Sequence, residues 1–228
     1  MIDMEIKVIK NILERNQNAA DNIRRLADEN KWYIMNVMGS PGAGKTSFIK
    51  CMIENLKDIF NIVVIEGDVA STIDAQAIAS YGVEVLQINT GGACHLVADS
   101  IAEAIDTLKP VPKTVIFVEN IGNLICPSSF DLGENLKVVV SSAAEGDDKP
   151  YKYPAMFEKA DVVVLSKIDV IDAIGFDMQR YKKGLEAIKD KDLKLFEVSF
   201  RTKEGVKSLT NYFYTLLDQY FKSRGKCL

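Results

Sequence analysis

The most informative stretch of this chain reads Gly39-Ser40-Pro41-Gly42-Ala43-Gly44-Lys45-Thr46, followed by Ser47. It matches the phosphate-loop pattern G-x-x-x-x-G-K-[ST] at every fixed position, between a predicted strand and a predicted helix. The glycines allow consecutive backbone N–H groups to surround phosphate oxygens, and the start of the helix adds the positive end of its dipole. We therefore expect these residues to bind a nucleoside triphosphate, with Lys45 on the β- and γ-phosphates and the Thr46 hydroxyl on Mg²⁺.

Apolar, β-rich runs alternate with helical patterns on both sides of this loop. The predicted strands are Trp32–Met38, Ile62–Glu66, Val83–Ile88, Thr114–Glu119, Leu136–Ser141, Asp161–Ser166 and Lys194–Ser199. The predicted helices cover residues 45–57, 72–80, 95–108, 175–189 and 205–222. This alternation predicts an α/β domain over residues 31–228, with a mostly parallel sheet flanked by helices as in P-loop NTPases. The helical spacing of apolar residues before it predicts an N-terminal helical extension over residues 1–30.

The composition argues against several classes of function. A balance of 28 Lys and Arg against 32 Asp and Glu disfavours a protein that grips nucleic acid electrostatically. No apolar run reaches the roughly 18 residues of a membrane span, and the first ten residues lack the apolar core of a signal peptide. Four cysteines without dense spacing argue against a disulfide scaffold. We expect a cytoplasmic protein that binds neither membrane nor nucleic acid.

Acidic residues end the second and fourth predicted strands, in Glu66-Gly67-Asp68 and Glu119-Asn120-Ile121-Gly122. The carboxyl ends of parallel strands form the ligand-binding edge of such a sheet. Because Mg²⁺ takes one or two carboxylates together with phosphate, we expect Asp68 and Glu119 to hold Mg²⁺ or the attacking water, and we count them with Lys45 as catalytic. Gly122 would let a backbone N–H approach the γ-phosphate. The alternative for each acid is a solvated strand end without such a role.

The sixth predicted strand runs into Ser166-Lys167-Ile168-Asp169, which resembles the guanine-reading pattern Asn-Lys-x-Asp with Ser in the first position. An Asp carboxylate accepts hydrogen bonds from the ring N–H and the exocyclic amine of guanine, a pair that adenine does not offer, and the Lys stem packs on the base. Ser199, after the last strand, could support the edge of the base. The pattern favours GTP over ATP, although a surface Lys-x-Asp is common.

A Cys–His pair follows the third predicted strand, where Cys94 and His95 are expected to open a helix that lowers the pKa of the thiol. Thiolate and imidazole suit Zn²⁺ or Ni²⁺, and Cys126, in the loop after the next strand, could join the same metal. Such a set is too small for a closed tetrahedral site, so we expect an open site or one shared across a dimer axis. Buried packing cysteines remain an alternative, as does a Cys–His nucleophile, which adjacency in sequence disfavours. Cys51 and Cys227 are assigned to packing and to the tail.

The order of these motifs resembles the HypB family, the hydrogenase nickel-incorporation GTPases of the SIMIBI class, over about residues 30–210. The motifs that carry the resemblance are Gly39–Thr46, Glu66-Gly67-Asp68, Gly92-Ala93-Cys94-His95-Leu96, Glu119-Asn120-Ile121-Gly122-Asn123-Leu124-Ile125-Cys126-Pro127, Phe130-Asp131-Leu132-Gly133-Glu134, Glu145-Gly146-Asp147-Asp148-Lys149-Pro150 and Ser166–Asp169. The Cys-His and Cys-Pro combination is the specific part.

The resemblance implies a slow GTPase that helps to deliver nickel to the large subunit of a [NiFe]-hydrogenase, together with other nickel-insertion accessory proteins. It implies a homodimer in which Cys94, His95 and Cys126 bind Zn²⁺ or Ni²⁺ near the interface. Lys149 would reach a nucleotide phosphate, either in its own subunit or in the neighbouring one. Alternatives are a urease-type nickel GTPase, whose Cys-Pro-His motif this sequence lacks, a small-molecule kinase, and a nickel or zinc carrier with a nucleotide-locked dimer.

Two departures from the family pattern qualify these expectations. Residues 1–30 contain neither Cys nor His, so we expect no nickel-storage motif there. Ser166 replaces the usual Asn, which weakens the match for guanine. The seven-residue spacing from Glu119 to Cys126 predicts that nucleotide state and metal affinity are coupled, through residues 68–75 and 119–126, which we expect at the γ-phosphate.

Overall fold

The computed structural model describes residues 2–68, 72–188 and 193–224, and of residues 2–12 the backbone alone. In this part of the chain seven strands form a single sheet in the spatial order β3-β2-β4-β1-β5-β6-β7. The strands are β1 Tyr33–Met38, β2 Asn61–Asp68, β3 Glu84–Asn89, β4 Thr114–Glu119, β5 Leu136–Ser142, β6 Val162–Ser166 and β7 Lys194–Glu197. Every neighbouring pair is parallel, which confirms the predicted sheet.

Helices connect these strands and cover both faces of the sheet. They are α1 Ile2–Asn30, α2 Lys45–Leu56, α3 Ile73–Ala79, α4 Ala98–Leu108, α5 Lys149–Lys152, α6 Pro154–Lys159, α7 Ile171–Ile174, α8 Met178–Ile188 and α9 Val206–Arg224. The longer helices were predicted from apolar periodicity, and the N-terminal pattern is one continuous helix. The short helices α5, α6 and α7 were not predicted, because they are too short to show a period.

The alternation of side chains along β4 explains why the central strands are apolar throughout. Val115 and Phe117 face the core cluster formed with α2 and α9, which includes Phe48 and Phe213. Ile116 and Val118 face the opposite cluster, formed with α1 and α4. Because both faces are covered, a central strand carries no polar alternation, as expected for parallel sheets.

Helix α1 packs against the main domain through its second half. Ala20, Ile23 and Ala27 are buried among residues of the sheet and of α4. Gly133 lies directly beneath the helix, with a φ of 78°, and a Cβ there would come within 2.6 Å of the Ala20 carbonyl oxygen. Arg24 forms an ion pair with Asp131 beside this contact. Within the described residues, no helix is both long and apolar enough to cross a membrane.

Candidate functional site

The phosphate loop leaves the centre of the sheet, at the carboxyl end of β1, and runs directly into α2. The Lys45 side chain folds back over the loop, and its Nζ donates to the carbonyl oxygens of Gly39 at 3.4 Å and Ser40 at 3.1 Å. Burial lowers the pKa of Lys45, while the neighbouring carboxylates Glu119 and Glu145 act in the opposite direction. The predicted loop residues are therefore arranged around one ammonium group at the start of a helix.

Two buried carboxylates face the start of α2. Glu66 and Glu119 are register partners on adjacent strands β2 and β4, and the Thr46 hydroxyl donates to Glu119 Oε1 at 2.9 Å. The other oxygen of each carboxylate, Oε2, is buried without a hydrogen-bond partner among residues 2–68, 72–188 and 193–224. Burial raises the pKa of both Glu66 and Glu119 to about 7. Unpaired buried oxygens beside a hydroxyl are a donor set that fits Mg²⁺, which prefers oxygen ligands.

A cleft of about 650 Å³ opens beside the phosphate loop, and Asp68 and Thr46 line it. Glu66 and Asp74 also line it, although neither was predicted as a site residue. Glu66 could have been found only from the strand register, since its position opposite Glu119 depends on how β2 pairs with β4. Part of the segment 68–75, which was predicted to touch the γ-phosphate, lies outside the described residues.

Gly122, in the loop after β4, lies directly against the phosphate loop. A Cβ on Gly122 would lie 2.8 Å from the backbone nitrogen of Pro41, so only glycine fits this approach. Next to it, Asn123 forms an isolated bridge with Gly39 and donates its N–H to the Gly39 carbonyl oxygen at 3.1 Å. The loop that follows Glu119 is thus held against the loop that is expected to carry phosphate.

A second cavity of about 340 Å³ adjoins the cleft and collects the residues predicted to read the base. It is lined by Gly44, Ser47, Ser166, Lys167, Asp169, Val170, Phe200 and Arg201. The Ser166 hydroxyl donates to the Ala43 carbonyl oxygen, and Lys167 Nζ donates to that of Gly42 at 2.7 Å. The short Ser166 side chain therefore still holds the phosphate loop, because β6 ends close to it.

The Asp169 carboxylate has two supporting groups at the edge of this cavity. A hydrogen bond with Ser199, and then the charge of Arg201, lower the pKa of Asp169. Arg201 Nη2 lies 2.9 Å from Asp169 Oδ2. Ser199 is the residue predicted at the edge of the base, whereas Arg201 was not predicted. The observed contacts keep the carboxylate ionised, which is the form that accepts hydrogen bonds from guanine.

Cys94, His95 and Cys126 come together as predicted, with one ligand atom of each within 4.8 Å of the others. The prediction that Cys94 opens a helix was wrong, because α4 begins at Ala98 and residues 90–97 form a loop. The predicted lowering of the Cys94 pKa was also wrong. A hydrogen bond with Cys126 raises that pKa, and Cys94 lies in a loop rather than in the first turn of a helix.

The His95 ring contacts both a sulfur and an aromatic ring. Cys94 Sγ lies 3.5 Å from His95 Nδ1, so adjacency in sequence does not keep the two side chains apart as expected. The Phe130 ring stacks on the imidazole at a centroid distance of 3.9 Å and an interplanar angle of 23°. Burial lowers the pKa of His95, which favours the neutral, metal-binding imidazole. Thiol sulfur and imidazole nitrogen are ligands that fit Ni²⁺ and Zn²⁺.

Two residues of the acidic Glu145–Pro150 motif, Lys149 and Glu145, differ in whether they contact the phosphate loop. Lys149 is not among the described residues that line the cleft, and its Nζ lies 5.4 Å from the centroid of the Tyr153 ring. Glu145, which sequence reasoning did not select, accepts a hydrogen bond from the Ser40 hydroxyl at 2.8 Å. Cys51 is buried, in line with a packing role, and Cys227 lies outside the described residues.

Residues 33–195 match the family model described as CobW/HypB/UreG, nucleotide-binding domain. The chain is 41% identical over 213 residues to the hydrogenase maturation factor HypB of Rhizobium leguminosarum bv. viciae, covering 93% of this chain and 70% of the relative. It is 38% identical over 200 residues to the probable hydrogenase maturation factor HypB of Methanocaldococcus jannaschii, covering 88% and 90%.

Two solved structures have the same fold as this chain. The crystal structure of HypB from Helicobacter pylori in complex with nickel superposes with a TM-score of 0.84 at 34% sequence identity, covering 92% of this chain and 97% of that one. HypB from Archaeoglobus fulgidus superposes with a TM-score of 0.83 at 33% identity, covering 90% and 100%.

Proposed function

Because the chain belongs to the CobW/HypB/UreG family and is a HypB-type member of it, we propose that it is a GTP-hydrolysing accessory protein that couples GTP binding to nickel delivery into [NiFe]-hydrogenase. The observation that carries this proposal is the segment 119–126. At one end it lines the cleft with Glu119 and Gly122, and at the other it ends in Cys126 of the metal cluster.

The nucleotide part of the proposal is supported by the cleft and its adjoining cavity. Lys45 supplies positive charge for the β- and γ-phosphates, and the backbone of residues 39–47 surrounds them. Asp169 reads guanine, with Ser199 and Arg201 holding its carboxylate. Bound Mg²⁺ would supply charge that offsets the phosphate oxygens, held through Thr46 with Asp68, Glu119 or Glu66.

For hydrolysis, the acids of the cleft must orient an attacking water. Glu119 has one oxygen engaged by Thr46 and a second that is buried and unpaired within the described ranges. Because an unpaired carboxylate oxygen can accept a hydrogen bond from water, Glu119 can orient the attacking water beside the phosphate loop. Asp68 and Lys45 complete the proposed catalytic set. We expect the turnover to be slow and switch-like.

The metal part rests on the cluster of two sulfurs and one imidazole. Three protein ligands would leave an open position on a four-coordinate ion, which would suit a site that accepts and releases its cargo. We propose Ni²⁺ as the cargo, Zn²⁺ as a second occupant, and a homodimer that places the clusters near its interface. The hydrogenase large subunit and other nickel-insertion proteins are the proposed partners, and Lys149 is proposed to reach the neighbouring subunit's nucleotide. The cytoplasmic location stays a prediction.

The decisive experiment measures nickel affinity of the purified chain with a non-hydrolysable GTP analogue and with GDP. Different affinities are expected, and identical values would remove the coupling. Cys94→Ser should abolish the high-affinity site, whereas Cys51→Ser, which alters a buried cysteine of α2, should leave it intact. Single-turnover assays with Lys45→Ala separate the switch from a carrier: nickel transfer that survives without hydrolysis would favour the nucleotide-locked carrier.

The preference for guanine over adenine can be tested separately. Asp169→Ala removes the carboxylate that accepts two hydrogen bonds from guanine, so the preference for GTP over ATP should fall by about 10- to 100-fold, the range expected for hydrogen bonds to a charged group. Glu204→Ala, a nearby change that leaves the Asp169 carboxylate in place, is the control. Competition between labelled GTP and unlabelled ATP measures the preference, and an unchanged preference would contradict the assignment of Asp169.

A further inference from the structure

We propose that Asn120 is the positioning residue that couples the nucleotide cleft to the metal cluster, through a closed ring of contacts that runs by way of Asn36, Glu134 and Phe130. This inference rests on the proposed function, since it names the residues that would transmit nucleotide state to His95. It also assigns a role to the Phe130–Glu134 motif, which the nucleotide and metal sites leave without one.

Asn120 stands between the two sites and is 1% exposed. It follows Glu119 directly, and its backbone N–H donates to the Val37 carbonyl oxygen at 2.9 Å. Its side-chain Oδ1 accepts the N–H of Ile121 at 2.9 Å, in the loop that lines the cleft, and the N–H of Leu96 at 3.3 Å, the residue after His95. One buried oxygen therefore ties the cleft loop to the metal loop.

The side-chain amide nitrogen of Asn120 also makes a hydrogen bond to a residue of the sheet. Its Nδ2 donates to Asn36 Oδ1 at 3.1 Å, and Asn36 Nδ2 donates to Glu134 Oε1, also at 3.1 Å. Glu134 Oε2 accepts the N–H of Leu132 at 2.8 Å. Asn36 and Glu134 are buried, so these hydrogen bonds exchange little with water. Glu134 Oε1 also pairs with Lys137 Nζ at 3.0 Å.

Phe130 closes the ring. It lies two residues before Leu132, and its aromatic ring stacks on the His95 imidazole. The path from His95 therefore returns to His95: through Leu96 to Asn120 on one side, and through Phe130 to Glu134 and Asn36 on the other. A shift of the loop after Glu119 would move both the backbone beside His95 and the ring stacked on it.

The direction of the hydrogen bonds makes this ring specific to amides. Asn120 Oδ1 accepts two backbone N–H groups, which leaves its Nδ2 as the donor to Asn36. Asn36 in turn accepts with Oδ1 and donates with Nδ2, because Glu134 offers only acceptor oxygens when ionised. Replacing either amide by a carboxylate keeps the shape of the side chain and removes one donor.

The test uses Asn120→Asp and measures nickel affinity and the thiolate-to-nickel absorption band with GTP analogue and with GDP. In the unaltered chain we expect the two affinities to differ by about tenfold, within the usual range of coupling between sites. In Asn120→Asp we expect the ratio to fall to within about twofold of one, with bands that no longer differ between nucleotides. A ratio and a band difference like those of the unaltered chain would overturn the proposal.

A matched control separates coupling from loss of stability. Thr114 is also buried, and its hydroxyl donates to the Val111 carbonyl oxygen at 2.7 Å, but it begins β4, at the end of that strand away from the cleft. Thr114→Val should lower the free energy of unfolding and keep the affinity ratio. If Thr114→Val and Asn120→Asp reduced the ratio equally, the ring would have no special role and the proposal would fail.

A rescue pair keeps the proposal testable should Asn120→Asp fail to fold. Asn36→Asp removes the donor to Glu134 and sets two carboxylates against each other, so the ratio should fall. Adding Glu134→Gln supplies the donor from the other side and should restore the ratio in the double variant. A ratio that stays low in the double variant would overturn the ring. Equal affinities in the unaltered chain would instead refute the proposed function itself.

Discussion

Glu66 and Glu119 place two carboxylates where water has little access. Burial disfavours the charged form of each, and the charge of Glu119 is the next contribution that raises the pKa of Glu66. Lys45 lies close enough to lower the pKa of Glu119 in part, as does the hydrogen bond from Thr46. Burial therefore favours the protonated form of both side chains in the free protein. When a divalent cation displaces these protons, the two carboxylates can act as its oxygen ligands.

This predicts a pH dependence of stability for the chain without nucleotide or metal. The pKa of Glu66 rises from 4.5 to about 7 on folding, so between these pH values the folded state binds more protons than the unfolded state. The free energy of unfolding should then fall as pH rises from about 5 to 7, on the order of 2 kcal/mol from Glu66 alone, and Glu66→Gln should remove that share while the share of Glu119 remains. Urea unfolding at a series of pH values measures it.

Glu103→Gln is the control for this prediction. Glu103 is exposed on α4, away from the cleft, so its replacement should leave the pH dependence unchanged. A slope in Glu66→Gln that matches the unaltered chain would mean that Glu66 is not protonated on folding.

At the scale of elements, the loops after β1 and β4 act as one unit because their backbones touch. The bridge between Gly39 and Asn123 and the approach of Gly122 to Pro41 leave no room for a side chain between them. The shape of the phosphate loop therefore depends on the loop that also carries Cys126.

Gly122→Ala tests this dependence. A Cβ 2.8 Å from the Pro41 backbone nitrogen must displace one of the two loops, because neither partner is a flexible side chain. Affinity for the GTP analogue, measured by calorimetry, should fall by about tenfold or more, which corresponds to about 1.4 kcal/mol. Gly82→Ala, in the turn between α3 and β3 at a φ of 79°, is the control, and it should lower stability without altering nucleotide affinity.

At the scale of the whole molecule, α1 completes the core on one face of the sheet. Ile23 is fully buried above Gly133, whereas Leu13 on the same helix is 46% exposed. The helix also contacts Asp131 through Arg24 and Asn16, so it packs beside the segment that carries Phe130. Part of the surroundings of the metal cluster thus comes from the N-terminal helix.

Two substitutions on this helix measure what it contributes. Ile23→Ala should lower the free energy of unfolding by about 2–5 kcal/mol, the usual cost of a cavity in a packed core. Leu13→Ala should change it by less than about 0.5 kcal/mol, since its side chain is largely in water. Denaturant unfolding of both variants provides the comparison, and equal costs would show that α1 is not packed as described.

Much of this protein is determined within short stretches of its sequence. The phosphate loop is contiguous, so its residue types alone predict its geometry between a strand and a helix. The strands are recognisable because a sheet covered on both faces needs continuous apolar runs, and the longer helices because their apolar residues recur with a helical period. Cysteine and histidine type predicted which side chains could meet at a metal, although not how they would meet.

The tertiary structure decided what depends on distant pairing. Asn36 and Asn120 are 84 positions apart, and Asn36 and Glu134 are 98 apart, so nothing local in the sequence connects them. Glu66 faces Glu119 because β2 and β4 pair in one register, and Ser166 holds the phosphate loop because β6 ends beside it. The loop at Cys94 ends before α4 begins, which periodicity could not locate. Sequence patterns specify the face on which a residue lies, whereas register and packing choose its neighbour.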